Sequence, residues 1–166
     1  PASTVPELIE QGSAAVPPPG GLGLSRNYRR RAEVEAEIVA LPAETDGGLL
    51  PALQAATAAE TLVHGIRRLV KTGRHAEADQ VAQALIERVT PLVARIAAGQ
   101  VVLAEDREDL VQTVLVQMWQ EVYDTAPQHE FWEVHFAHML RVACGDAAER
   151  QRRPREHERA FKRGQS

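Results

Sequence analysis

The segment Asp106-Arg107-Glu108-Asp109-Leu110-Val111-Gln112-Thr113-Val114-Leu115-Val116-Gln117-Met118-Trp119 carries the clearest helical pattern in the chain. Leu110, Val111, Val114, Leu115, Met118, Trp119 and then Val122 recur at spacings of three and four, which gathers them on one helical face. Glu108 and Asp109 fall in the first turn, where negative charge suits the helix dipole, and Asp106 stands where a cap is needed. The spacing predicts a helix from Asp106 to about Tyr123, with Val114, Leu115, Met118 and Trp119 largely buried against Leu92, Ile96 and the helix that holds Met139–Val142.

Working outward, Pro127 breaks the chain, and a second helix is expected from about Glu130 to Arg152, where Pro154 stops it and a short polar tail follows. Its apolar positions include Phe131, Val134, Met139, Val142 and Ala143. Upstream, His75 to Ala98 reads as a helix with Val81, Leu85, Val89, Leu92, Val93 and Ile96 on one face. Pro91 should kink or split it, and Gly99 should cap its end. Pro51 to Val70 reads as one amphipathic helix, closed by Thr72-Gly73. A short helix from about Arg31 to Leu41 ends at Pro42 and Asp46-Gly47-Gly48.

Residues 1–25, rich in Pro, Gly, Ala and Ser, bury too little surface to offset their ordering entropy and are expected to be a disordered tail. Arg26, Arg29, Arg30 and Arg31 surround Tyr28; a solvated helix start is favoured over a phosphate-contacting arm. Residues 26–50 thus form a basic segment, a short helix and a loop, and residues 51–166 a helical bundle. With no strand pattern and no internal repeat, the fold is read as all-α, about five helices behind a disordered N-terminal arm.

Hydrophobic residues make up 44 % of the 166, enough for a core. Only seven are aromatic, and six of these lie between Trp119 and Phe161, so the core is mostly aliphatic. The net charge of −4 argues against a general nucleic-acid binder, but its distribution is uneven. From Arg141 onward eight Lys or Arg face four acids, giving that end +4 and the rest −8. An acidic body with a basic end suits two partners of opposite sign. Cys144 is the only cysteine, which fits a reducing compartment, and no signal peptide or membrane span is recognisable, so a cytoplasmic protein is expected.

Enzymatic signatures are missing. His135 and His138, three apart on one helix, can set two imidazoles side by side, but no spacing with His129, Glu130 or Cys144 matches a zinc signature; neither a metal nor any other cofactor is expected. Cys144 sits mid-helix with no neighbour to lower its pKa. Gly20-Gly21-Leu22-Gly23 has no strand before it and is no phosphate loop.

Asp106-Arg107-Glu108-Asp109-Leu110-Val111-Gln112 with Met118-Trp119, then Leu140-Arg141-Val142-Ala143 and Glu149-Arg150-Gln151-Arg152-Arg153, resembles region 2 of bacterial RNA polymerase sigma factors, especially the extracytoplasmic-function type. That family carries an Asp-x-Glu-Asp-[Leu/Ile/Val]-x-Gln-[Glu/Asp] helix, then a Trp-Leu-x-Arg-Ile-Ala-x-Asn-x-x-x-Asp-x-x-Arg-Arg helix. Leu85 to Ile96 looks like the family's first helix, so the resemblance spans about residues 75–155.

The resemblance implies a sigma-like transcription factor, not an enzyme, that binds core RNA polymerase and helps recognise or open the promoter minus-ten element. Asp106, Asp109 and Gln112 would face the clamp coiled coil of the polymerase's largest subunit. Arg141, Arg150, Arg152 and Arg153 would contact phosphates of promoter DNA. His138 and Gly145 stand where the family has its base-reading tryptophan and asparagine; Thr113 and Glu149 also depart from the pattern. No second helix-turn-helix follows in the chain, so either a fragment or a protein acting through region 2 alone is expected. The alternative is a sigma-like regulator, decoy or adaptor that docks without reading DNA. A regulatory protein partner is compatible with either.

Overall fold

In the computed structural model, which describes residues 24, 28–43 and 47–165, ten consecutive residues from Glu60 to Leu69 are buried, a helix enclosed on every side. This helix, α3 (Ala59–Lys71), follows α1 (Ala32–Val39) and α2 (Leu49–Ala55). After it come α4 (His75–Gln100), α5 (Ala104–Tyr123), a 3-10 helix (Pro127–Glu133) and α6 (Phe136–Gln165). The described residues are thus all-α, with six α-helices and one 3-10 helix. None of these helices is long and apolar enough to cross a membrane.

The described residues form two compact units, those up to residue 86 with 119–136, and 87–118 with 137–165. In the first, α1, α2 and the 3-10 helix all pack on α3. Val34, Ile38, Leu49, Leu53, Leu62, Ile66, Leu69 and Trp132 fill its core. In the second, Val89, Val93, Ala97, Leu110, Val114, Met118, Leu140, Ala143 and Cys144 are buried at helical spacing.

Several expectations are corrected. The single helix expected from Pro51 to Val70 is two. Ala56 and Ala58 are extended, and Glu37 of α1 accepts hydrogen bonds from the Thr57 and Ala58 amides at 2.7 and 3.1 Å and from the Thr61 hydroxyl at 2.7 Å. A carboxylate from another helix thus holds the two amides that lead into α3 and the Thr61 hydroxyl of its first turn. Nor is α3 amphipathic in the sense of having a wet face: its polar side is buried too. Its end behaves as expected. Gly73 adopts φ 78°, the Arg74 amide donates to Leu69 O at 2.8 Å and the Gly73 amide to Val70 O at 3.1 Å, which is the Schellman arrangement.

Pro91 does not split α4, and Gly99 lies inside the helix rather than past it. Pro91 is exposed, as is Glu87 four residues earlier, so the proline ring lies on the outer face of the helix. Helix α5 begins at Ala104, which puts Asp106 inside the first turn and not at the cap. The last helix begins at Phe136, because Pro127–Glu133 winds as a 3-10 helix, and it runs through Pro154 to Gln165 instead of stopping there. Residues 1–23 of the expected disordered tail, with Gly20–Gly23, lie outside the described residues, as do Arg26 and Asp46.

Trp119 and Leu115 are only half-buried, and Val142 is exposed. Trp119 stacks on Tyr123 with ring centroids 5.0 Å apart. The fully enclosed indole is Trp132, whose Nε1 donates to Glu121 at 2.9 Å.

Candidate docking groove and a buried ionic cluster

In the second unit, the first turns of α5 and the end of α4 border a groove of about 600 Å3. Its walls are Ala94 and Ala98 from α4, and Ala104, Arg107, Glu108, Asp109, Val111 and Gln112 from α5. The register explains the arrangement. Leu110, Val114 and Met118 turn inward, so Asp109 and Gln112, three apart, are exposed on the same side. Glu105 and Glu108 are exposed beside them, giving the rim negative charge. The alanines leave an apolar floor, and Val102 and Leu103 stand exposed just before α5. The groove offers carboxylate acceptors, an amide and an apolar base, which suits a partner helix with basic and small apolar side chains.

Asp106 does not belong to that exposed face. It is 4 % exposed, so the expectation that it lies with Asp109 and Gln112 on the exposed polar face is corrected. Its backbone carbonyl accepts from Gln151 Nε2 of α6 at 3.0 Å, a bond that helps fix the two helices within this unit.

Arg141, Arg150, Arg152 and Arg153 are all exposed along α6. Arg150 donates to Gln117 Oε1 at 3.3 Å and Arg153 to Glu149 Oε1 at 3.0 Å, one helical turn away. His138 is exposed, while Gly145 is half-buried with open space where a Cβ would stand. Burial pushes the Cys144 thiol up. Among the described residues no group of three or more His, Cys, Asp or Glu side chains is arranged to hold a metal ion.

In the first unit the structure assembles a cluster that the sequence reading missed. Glu133, 1 % exposed, accepts from His64 Nδ1 at 3.0 Å and lies 2.7 Å from Arg67 Nε. Arg30 pairs with it as well, and reaches Glu35 at 2.9 Å with its other nitrogen. Burial alone would push the Glu133 carboxyl up; the hydrogen bond and charge of His64 and the guanidiniums of Arg30 and Arg67 outweigh it and hold the group at about 2. Arg67 also donates to the Asp124 and Thr125 carbonyls at 2.7 and 3.2 Å, just past the end of α5, where positive charge suits the dipole.

Arg30 is therefore neither a solvated helix start nor a phosphate arm. Arg31 reaches Glu60 at 3.1 Å, Arg29 is exposed, and Tyr28 meets the edge of Phe131 at 5.2 Å. The only trace of this cluster in the sequence is the run of ionisable residues at positions 60, 64, 67 and 68 within an otherwise apolar-periodic helix. With two guanidiniums and an imidazole converging on one carboxylate, the cluster fastens elements together.

No protein-family model, no curated protein and no solved structure matches the chain.

Proposed function

We propose that the chain is a sigma-like transcription subunit of the cytoplasm that docks on core RNA polymerase and contacts promoter DNA, leaving the chemistry to the polymerase. The observation that carries this reading is the exposure of Asp109 and Gln112 at the rim of the alanine-floored groove. These are residues of the Asp-x-Glu-Asp-Leu-x-Gln motif, and the same helix buries Leu110, Val114 and Met118. An acidic, partly apolar helix face of this kind suits a basic partner surface, and the resemblance makes the clamp coiled coil of the polymerase's largest subunit that partner. On α6, the exposed Arg141, Arg150, Arg152 and Arg153 are suited to phosphates, which position a protein without encoding sequence.

One observation favours the second reading, a sigma-like regulator, decoy or adaptor. Gly145 brings no side chain to the position where the resemblance calls for an asparagine, and His138 replaces the tryptophan. Docking is thus better equipped than base reading. The test is co-purification of core polymerase with the chain and with Asp109→Arg, followed by promoter opening with the wild-type holoenzyme. Retention of core by wild type and its loss in the variant support docking. Equal retention by both overturns it, and docking without opening of any promoter selects the adaptor.

A further inference from the structure

Helix α6 continues for eleven residues beyond Pro154, to Gln165. From 150 to 165 the chain carries seven Lys or Arg and two Glu, although its overall charge is −4. At 3.6 residues per turn, positions 152, 155, 159, 162 and 163 fall within an arc of roughly 100° on one side of the helix. All five are Lys or Arg. Position 158, a glutamate, falls outside the arc, and Glu156 only at its edge. At a rise of about 1.5 Å per residue the row is about 16 Å long.

We propose that residues 150–165 form a helical arm that lies against duplex DNA and contacts its phosphates without reading sequence. The proposal deepens the DNA-contacting part of the reading above, and it does not need polymerase docking to be right. A duplex presents one negative charge per about 1.7 Å of axis, a rigid row to which a rigid row of cations can be matched. The B-form major groove, about 12 Å wide, admits an α-helix at its edge. The deep, narrow groove of an RNA duplex does not. Single strands are held on aromatic platforms, and from residue 137 to the end the chain has one aromatic ring of that kind, at Phe161, whose position is opposite the basic row. Arg141 and Arg150, exposed earlier on α6, extend the positive charge toward the body of the unit.

The test uses the full chain and a labelled duplex of arbitrary sequence, about 20 base pairs long, titrated across a range of salt concentrations. Wild type is expected to bind at low salt, equally well when the sequence is scrambled. Replacing Arg155, Arg159, Lys162 and Arg163 together by Gln should make the slope of log affinity against log salt shallower by about three to four. The conservative variant Arg155→Lys, Arg159→Lys, Arg163→Lys should retain the slope, because phosphate contacts require charge. Helix content is followed by circular dichroism; if the Gln variant loses helix, replacement of the same four residues by Ala, the strongest helix former, decides, a shallower slope supporting the arm and an unchanged one overturning it. An unchanged slope in a helical Gln variant, no duplex binding by wild type at about 25 mM salt, or equal affinity for an RNA duplex or a single strand overturns the proposal. Polymerase is absent from this measurement, so failure of docking leaves its outcome untouched.

Discussion

Gly65 of α3 faces Leu53 of α2 so closely that a Cβ on residue 65 would lie 2.4 Å from Leu53 Cδ2 and 2.6 Å from Cδ1. The glycine is there for the approach of two helices, since no special backbone angle is required of it.

Gly65→Ala should therefore destabilise the first unit, by about 1–3 kcal/mol, the usual cost of overpacking a core. Leu53 is fully buried, so any shift it makes disturbs the neighbours packed on it. Leu53→Ala alone should cost about 2–5 kcal/mol. The double variant should lose less than the sum, because removing the leucine clears the space the new methyl needs. Urea denaturation of the three variants checks this, and strict additivity would refute the contact.

Glu133 is expected to contribute to the acid stability of the first unit. Its carboxyl is depressed from 4.5 to about 2, so its contribution is present above about pH 4.5 and is lost as pH falls toward 2. Glu133→Gln should lose that part of the pH dependence and also cost about 3–5 kcal/mol near neutrality, because the buried Arg30 and Arg67 lose their common carboxylate. Denaturation midpoints from pH 7 to pH 3, wild type against variant, measure both effects. A variant whose stability falls with acid as steeply as wild type would show that the group does not govern this transition.

Asp106 and Asp109 are three residues apart and should behave oppositely. Asp109→Ala, on the exposed rim, should change stability by no more than about 0.5 kcal/mol. Asp106→Ala, at a buried position, should cost about 1–3 kcal/mol. Thermal melts of the two variants settle the order.

Gly145→Ala should stabilise α6 by about 0.5–1 kcal/mol, since the position is helical and a Cβ there meets nothing within 4 Å. A lower melting temperature would mean that the glycine serves a contact.

The two tryptophans separate what was legible in the sequence from what was not. The pattern from Leu110 to Val122 gave the helix, and of its apolar stripe Leu110, Val114, Met118 and Val122 are buried while Val111 and Leu115 are half-buried, because helical period depends only on order along the chain. It placed Trp119 in the core, yet this ring is half-buried on Tyr123, while Trp132 is enclosed in a 3-10 helix whose short period no α-helical template detects. Acrylamide should quench Trp119 more than Trp132 in single-tryptophan variants, and Trp132→Ala should cost about 3–5 kcal/mol. Asp109 and Gln112 were found on the exposed face for the same reason of period. Glu133 was not found, because its partners stand 69 and 103 residues away and only folding brings them together. Proline ends neither long helix: its local cost of about 3 kcal/mol does not split α4 at Pro91 or stop α6 at Pro154.

The carboxylate of Glu37 places the boundary between α2 and α3 in the hands of a residue twenty positions upstream. An isolated peptide spanning 49–71 lacks that acceptor, and its own period spells one uninterrupted helix. The amides of the bend at 56–58 are satisfied by α1, so in refolding Thr57 and Ala58 should gain exchange protection together with the docking of α1 and later than the middle of α3. A local feature of the chain is in this way a late and cooperative event in its assembly.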